Sequence, residues 1–312
     1  MKKPALFVLG LLLLAFISIY FIIPQHITAK SVAHVDVTDV NVFKFIIKPG
    51  SWKKWWPGEH TGTDSTVYTH NGTTYTLQKS TNSDIQVQVK KGDDVLDSHI
   101  TYLATDDGAT DVTWYASKQS STNPFERIAD FIGIKNTQKD MNTILGYFKQ
   151  FIQKDVNVYG LSFKIKKITN PLLITTSTTT KTYPAMETVY GLIENLHKQI
   201  ASQGAKELGS PMLNVNQTDD NEYEVRVALP INKAIIPGAG TKLNEMVKGG
   251  NVLEADVKGG PNTISGAFIQ LKNYQKDHGL ISPAMPYEQI ITNRLAEKDT
   301  AKWVTRIYWP VF

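Results

Sequence analysis

A single carboxylate lies inside an aromatic-rich segment near the C-terminus. Glu288 belongs to PYEQIITNRLAEKDTAKWVTRIYWPV, residues 286–311. A carboxylate that is partly removed from water attracts a cation more strongly than one on the surface, because the local effective dielectric is lower. Glu288 could therefore recognise a cationic or polar organic ligand from the floor of a groove. An exposed charge at a sheet edge also explains this residue, and the sequence leaves both interpretations open.

Aromatic side chains around Glu288 could form the walls of that groove. Strand alternation places Trp303 and Trp309 on one face of the last strand and Arg306 and Tyr308 on the other. The sequence does not show which face lines a groove and which packs on helices. Aromatic walls suit flat or cationic ligands, although an aromatic strand can also be ordinary core. The candidate ligand-binding residues are Glu288, Tyr287, Tyr308, Trp309, Trp303 and Tyr183.

The sequence offers little other chemistry. It contains no cysteine, which excludes disulfides, thiolate nucleophiles and Cys-ligated zinc or iron–sulfur sites. The 7 histidines are scattered without metal-site spacing, and neither a Gly-x-Ser-x-Gly elbow nor a phosphate-binding loop occurs. We therefore expect no metal and no cofactor. The 33 basic and 29 acidic residues leave a net charge of +4 without a clustered basic stripe, so we also expect no nucleic-acid partner.

The N-terminus predicts a membrane anchor. Lys2 and Lys3 precede the uncharged run 5–23, which Pro24 closes. A run of this length spans the ~30 Å hydrocarbon layer, and the two lysines favour the cytoplasmic side. We expect residues 1–29 to be a single-pass anchor in the cytoplasmic membrane, with the rest of the chain outside the cytoplasm. A signal peptide cleaved after Ala33 is the alternative, but the run exceeds the ~7–15 residues of such a segment.

The next part of the chain predicts an antiparallel sheet followed by a long helix. Asn71-Gly72 within TVYTHNGTTYTL favours a type I′ hairpin turn. Further strands follow, and then apolar residues recur at helical spacing in TQKDMNTILGYFKQFIQKDV. With the tryptophan-rich SWKKWWPG, residues 51–58, this order resembles the SRPBCC or START-like superfamily of polyketide cyclases and lipid-transfer domains over residues 30–156. The resemblance implies a helix-grip fold with an apolar ligand cavity.

Three tryptophans of that segment allow different roles. Trp52, Trp55 and Trp56 could line the mouth of the implied cavity or contact lipid near the predicted anchor, where indoles favour the interface. They could also pack into the core below the loop. The sequence alone does not decide between these roles.

The second half contains an internal repeat. GLIENLHKQIASQG, residues 191–204, matches GAFIQLKNYQKDHG, residues 266–279, and YEVRVALPI, residues 223–231, matches WVTRIYWPV, residues 303–311. Each copy predicts the order strand, helix, strand, strand, so two βαββ units would share one sheet. Glu288 breaks the symmetry, because Leu213 occupies the equivalent position of the first copy.

This duplicated pattern and the C-terminal motif resemble the GyrI-like small-molecule-binding domain, also called the effector-binding domain, over residues 157–312. The resemblance implies a ligand groove that contains Glu288. The leading hypothesis is a membrane-anchored, non-enzymatic small-molecule-binding protein. A hydrolase with Glu288 as general base and Tyr183, Tyr287 or Tyr308 as proton donor is the alternative. An envelope scaffold whose cavities are filled by side chains is a third hypothesis.

Overall fold

The computed structural model describes residues 2–60 and 66–312, and within the first helix it describes the side chains of residues 7, 10, 11 and 13 onward. The chain divides into two compact units, Met1–Lys154 (unit 1) and Asp155–Phe312 (unit 2).

Unit 1 combines an antiparallel sheet with one long helix. Its described helices are α1 (Lys2–Ile22), α2 (Asp39–Ile46) and α3 (Pro124–Ile152). Its described strands are β1 (His26–Val35), β2 (Val67–His70), β3 (Thr73–Ser80), β4 (Asp84–Lys91), β5 (Asp94–Ala104) and β6 (Thr110–Gln119). These strands pair in the order β1-β6-β5-β4-β3-β2.

The long helix α3 begins and packs as its sequence dictates. The Asn123 side chain accepts a hydrogen bond from the Phe125 N–H, and Pro124 occupies the first turn, where a missing N–H costs nothing. Further along, Met141, Ile144, Leu145, Phe148 and Ile152 are buried. Their spacing of three and four residues keeps them on one face, which explains why the apolar periodicity located this helix.

The three tryptophans of residues 51–58 belong to the core of unit 1. The indole N–H groups of Trp52, Trp55 and Trp56 donate to backbone carbonyls at 2.7, 3.1 and 2.8 Å, so burial leaves no indole unpaired. Their rings pack among four further aromatic side chains, namely Tyr68, Tyr75, Trp114 and Phe148. Of the roles that the sequence left open for these tryptophans, the structure shows packing in the core.

The structure corrects the prediction made for the N-terminus. Residues 5–23 fall within α1 and the residue after it, and Tyr20 near the end of this helix donates to the Thr122 carbonyl and lies under the Arg127 guanidinium. Within the part of the chain that the structure describes, no helix is both long and apolar enough to cross a membrane. This finding overturns the predicted anchor at 1–29, the membrane partner and the single-pass localisation. The prediction counted uncharged residues and included no tertiary contacts.

Unit 2 consists of two similar halves that share a sheet. Its described helices are α4 (Asp155–Tyr159), α5 (Met186–Ser202) and α6 (Pro261–Asp277). Its described strands are β7 (Lys164–Lys167), β8 (Leu172–Thr180), β9 (Met212–Gln217), β10 (Tyr223–Pro230), β11 (Thr241–Glu245), β12 (Asn251–Lys258), β13 (Tyr287–Ile290) and β14 (Val304–Val311). They pair in the order β11-β8-β10-β9-β13-β14-β12-β7. Repeat 1 consists of β8, α5, β9 and β10, and repeat 2 of β12, α6, β13 and β14.

The two repeats meet where β9 pairs with β13. In this register Glu288 lies directly opposite Leu213, so the two residues that the repeat alignment equates are cross-strand neighbours. Each repeat has its own apolar core. One core centres on Leu196 of α5 and the other on Leu271 of α6, and both leucines are fully buried. A helix on each side of the junction thus frames the residues around Glu288.

Candidate functional site

A cavity of about 650 Å³ lies in unit 2, between its two repeats. Repeat 1 contributes Tyr183 from the loop between β8 and α5, together with Met186 and Leu213, while repeat 2 contributes Phe268 and Trp309. Alternate residues of β14 point to the same face, and the residues on the Trp309 face include the fully buried Thr305 and Ile307. The last strand therefore turns its Trp303 and Trp309 face toward the helices and the cavity.

Glu288 forms a buried ion pair beside this cavity. Arg294 Nη1 donates to Glu288 Oε1 at 3.1 Å, and Arg294 Nη2 donates to Glu288 Oε2 at 2.8 Å. The Glu288 side chain is 8% exposed and the Arg294 side chain is 4% exposed. This two-pronged geometry matches the planar guanidinium to the planar carboxylate and is the strongest form of such a pair. The charge of Glu288 is thus balanced from within the chain.

Several neighbours hold Arg294 in place. Its Nη2 also donates to Thr305 Oγ1 at 2.8 Å, and its guanidinium lies 5.1 Å from the centre of the Trp303 ring. Its backbone N–H donates to the Tyr190 hydroxyl at 2.7 Å. The Asn293 side chain accepts hydrogen bonds from the backbone N–H groups of Leu295 and Ala296, which fixes the turn that carries Arg294. Arginine is suited to this position because it combines a fork of donors with a stacking face.

Buried polar atoms without partners lie at the same cavity. Arg294 Nε, Trp309 Nε1 and Asn214 Oδ1 have no hydrogen-bond partner among the residues that the structure describes. All three residues line the cavity. Most buried polar groups in proteins are paired, so this part of unit 2 retains polar groups that its own packing does not satisfy.

The structure brings five of the six candidate ligand-binding residues to the cavity. Glu288, Tyr287, Trp303, Trp309 and Tyr183 line it, and Tyr183 is 56% exposed. The sixth, Tyr308, points to the opposite face of the sheet because it alternates with Trp309. There its ring stacks on the ring of Tyr287, its cross-strand neighbour, with 5.0 Å between ring centres. The Tyr287 ring therefore lies on this opposite face too, although Tyr287 is among the residues that border the cavity.

A second cluster of polar residues occupies that opposite face. The buried carboxylate of Glu254 accepts from Lys166 Nζ at 2.7 Å. Burial, followed by a hydrogen bond with Glu254, raises the pKa of Tyr308 to about 12. Burial also raises the pKa of Tyr287, and Tyr308 and Glu254 raise it further. Both phenols therefore keep their protons at neutral pH.

The sequence analysis missed Arg294, Phe268 and Lys272. Phe268 and Lys272 lie on the cavity side of α6, four residues apart and so on one helix face. That spacing is visible in the sequence, but core packing explains an aromatic residue on a helix equally well. Arg294 lies in the connection between β13 and β14, where no periodicity shows that it returns to Glu288.

Comparisons with known proteins find likenesses among solved structures. No family model matches the chain, and no curated protein has a significantly similar sequence. The crystal structure of the EcmrR C-terminal domain is 16% identical, covering 49% of this chain and 98% of that one with a TM-score of 0.40. EcmrR in an EcmrR–DNA complex is 18% identical, with coverage of 61% and 72% and a TM-score of 0.43. The di-domain ARO/CYC StfQ from the steffimycin biosynthetic pathway is 9% identical, with coverage of 91% and 84% and a TM-score of 0.29.

These likenesses, with TM-scores of 0.29 to 0.43, assign no family to either unit. The family assignment of each unit stays a prediction. The expected absence of a nucleic-acid partner is not supported by these comparisons and likewise stays a prediction.

Proposed function

We propose that unit 2 binds a small organic molecule in the cavity between its repeats and releases it unchanged. The observation that carries this proposal is a 650 Å³ cavity with aromatic residues in its lining, next to a buried ion pair. Its volume falls within the ~300–1,000 Å³ that is typical of small-molecule sites. Trp309 and Phe268 offer apolar surface to a flat ligand, and polar atoms at the lining offer orientation.

The geometry favours binding over hydrolysis. A general base must offer a lone pair to a proton of the substrate. Both oxygens of Glu288 instead accept hydrogen bonds from Arg294, and the carboxylate is almost completely buried. Tyr308, one of the proton donors considered for a hydrolase, projects from the other face of the sheet. No observation at this site favours the hydrolase hypothesis.

A pair of tryptophan substitutions on α6 tests whether ligand occupies this cavity. Ser265 lines the cavity and is exposed, whereas Lys276 is exposed on the same helix outside the lining. Ser265→Trp should therefore fill the cavity without disturbing the core, and Lys276→Trp is the matched control. N-phenyl-naphthylamine, a neutral aromatic probe whose fluorescence rises in apolar sites, provides the readout on the full chain.

We expect Ser265→Trp to weaken probe binding by at least about tenfold, because an indole would occupy the space that the probe needs, and ~1.4 kcal/mol of lost contact suffices for that change. Lys276→Trp should bind like the wild type. Equal binding by both variants would place the probe elsewhere and contradict the proposal.

A further inference from the structure

The ionisable groups of the cavity sum to a positive charge. Its described ionisable lining residues are Glu288, Arg294, Lys272, Tyr183 and Tyr287. The glutamate and the arginine cancel each other in their two-pronged pair. Both tyrosines have a raised pKa, caused first by reduced contact with water, so they stay neutral. The charge of Lys272 remains.

Lys272 is free to meet a ligand. It lies at the start of the fourth turn of α6, exposed, on the side of the helix that faces the cavity. Among the residues that the structure describes, no acidic side chain pairs with it. A flexible ammonium group at the cavity can therefore reach an anionic group while the apolar walls hold the rest of the ligand.

Helix orientation adds to this positive potential. Met186 in the first turn of α5 and both Pro261 and Asn262 in the first turn of α6 line the cavity. The N-terminal end of a helix carries a partial positive charge from its unpaired N–H groups. Two such ends and Lys272 therefore act in the same direction. Glu187 in the first turn of α5 opposes them from outside the lining. Among the described lining residues the one carboxylate, Glu288, is already neutralised by Arg294.

We propose that this cavity selects aromatic molecules that carry a negative charge, such as a carboxylate or a sulfonate, and disfavours organic cations. This inference rests on the proposed function, because it concerns the ligand class of the same cavity. It also changes the expectation for Glu288, whose charge serves to hold Arg294 and is not offered to a cationic ligand.

Three aromatic probes separate the alternatives. Anilinonaphthalene sulfonate and N-phenyl-naphthylamine share one scaffold and differ by the sulfonate, and tetraphenylphosphonium is an aromatic cation. Binding of the two naphthalene probes to the full chain is followed by fluorescence, and the cation is tested by its ability to displace the neutral probe. Two results would establish that the naphthalene probes share the cavity. The sulfonate probe should displace the neutral probe, and Ser265→Trp should abolish the binding of both.

We expect the sulfonate probe to bind roughly 3- to 10-fold more tightly than the neutral probe, from an exposed lysine and two helix ends. Lys272→Gln should reduce that preference by about 2- to 5-fold, the scale of an exposed ion pair. Lys276→Gln removes the same charge from the same helix one turn away from the lining and should keep the preference. In Arg294→Gln, the unpaired Glu288 should allow tetraphenylphosphonium to bind more tightly than it binds to the wild type.

The outcomes are distinguishable. Binding of the neutral probe with no preference for the sulfonate, or a preference that survives Lys272→Gln, would overturn the anion inference and leave the proposed function standing. Tighter binding of tetraphenylphosphonium than of the sulfonate probe by the wild type would also overturn it. Failure of all three probes to bind would overturn both the anion inference and the proposed function. Because Lys272 is exposed, its substitution tests the inference even if Arg294→Gln does not fold.

Discussion

Replacing Glu288 by leucine should strongly destabilise unit 2. The change restores the symmetry of the repeat, because leucine is the residue at the opposing position 213. Among the residues that the structure describes, it also leaves the buried Arg294 guanidinium with Thr305 and the Trp303 ring as its remaining partners. The Arg294 side chain is 4% exposed, so its guanidinium has lost most of its contact with water. The penalty of an uncompensated buried charge therefore outweighs the gain in apolar contact.

The magnitude follows from the burial of both partners. Breaking a buried ion pair by removing one member costs about 3–5 kcal/mol, whereas replacing both members by apolar side chains of similar volume is close to neutral or stabilising. We therefore expect Glu288→Leu and Arg294→Met each to lower the free energy of unfolding by about 3–5 kcal/mol. The double variant Glu288→Leu/Arg294→Met should recover most of that loss, which gives a large coupling energy in a double-mutant cycle.

Hydrogen exchange measured by mass spectrometry on the full chain can report unit 2 alone. Amides of β9, β13 and β14 that exchange through global opening of unit 2 should exchange roughly 100- to 5,000-fold faster in each single variant, at 1.36 kcal/mol per factor of ten. Exchange in unit 1 serves as the internal control. A single variant that costs less than about 1 kcal/mol, or a double variant as unstable as the singles, would refute a buried and coupled pair.

Two further predictions concern other parts of the chain. The pKa of Tyr308 is raised from 10.0 to about 12 in the folded state. The protonated phenol therefore contributes to the free energy of unfolding below pH 10, and this contribution is lost as the pH rises toward 12. Tyr308→Phe should therefore reduce the loss of unit 2 stability between these pH values, and an identical loss in wild type and variant would contradict the assignment. In unit 1, Asn71 and Gly72 have φ angles of 49° and 72° at the β2–β3 turn. Gly72→Ala should cost about 1–2 kcal/mol in urea unfolding, because left-handed backbone penalises a Cβ, and an unchanged midpoint would show that the turn relaxes freely.

Local sequence signals located most elements of the structure. The apolar periodicity of residues 141–152 located the buried face of α3, and Asn71-Gly72 located the turn between β2 and β3. The matched letters of the repeat placed α5 and α6 and the strands that flank them. These signals work because a helix face, a tight turn and a repeated unit each impose a constraint on neighbouring residues.

Edge strands and long-range pairs lacked such signals. Every residue of β7 is exposed, so the strand carries no buried alternation from which it could be predicted. The partnership of Arg294 with Glu288 depends on how the connection between β13 and β14 folds back, which no local pattern encodes. The orientation of β14 was likewise open, because both of its faces carry aromatic residues and only packing on the helices distinguishes them.

The central claim is that the cavity beside the Glu288–Arg294 pair holds a small organic molecule. Its most direct test is a crystal structure of the full chain grown with N-phenyl-naphthylamine. The account predicts electron density for the probe between Trp309 and Phe268, with the Glu288–Arg294 pair intact. Density only elsewhere on the chain, with this cavity free of the probe, would contradict it.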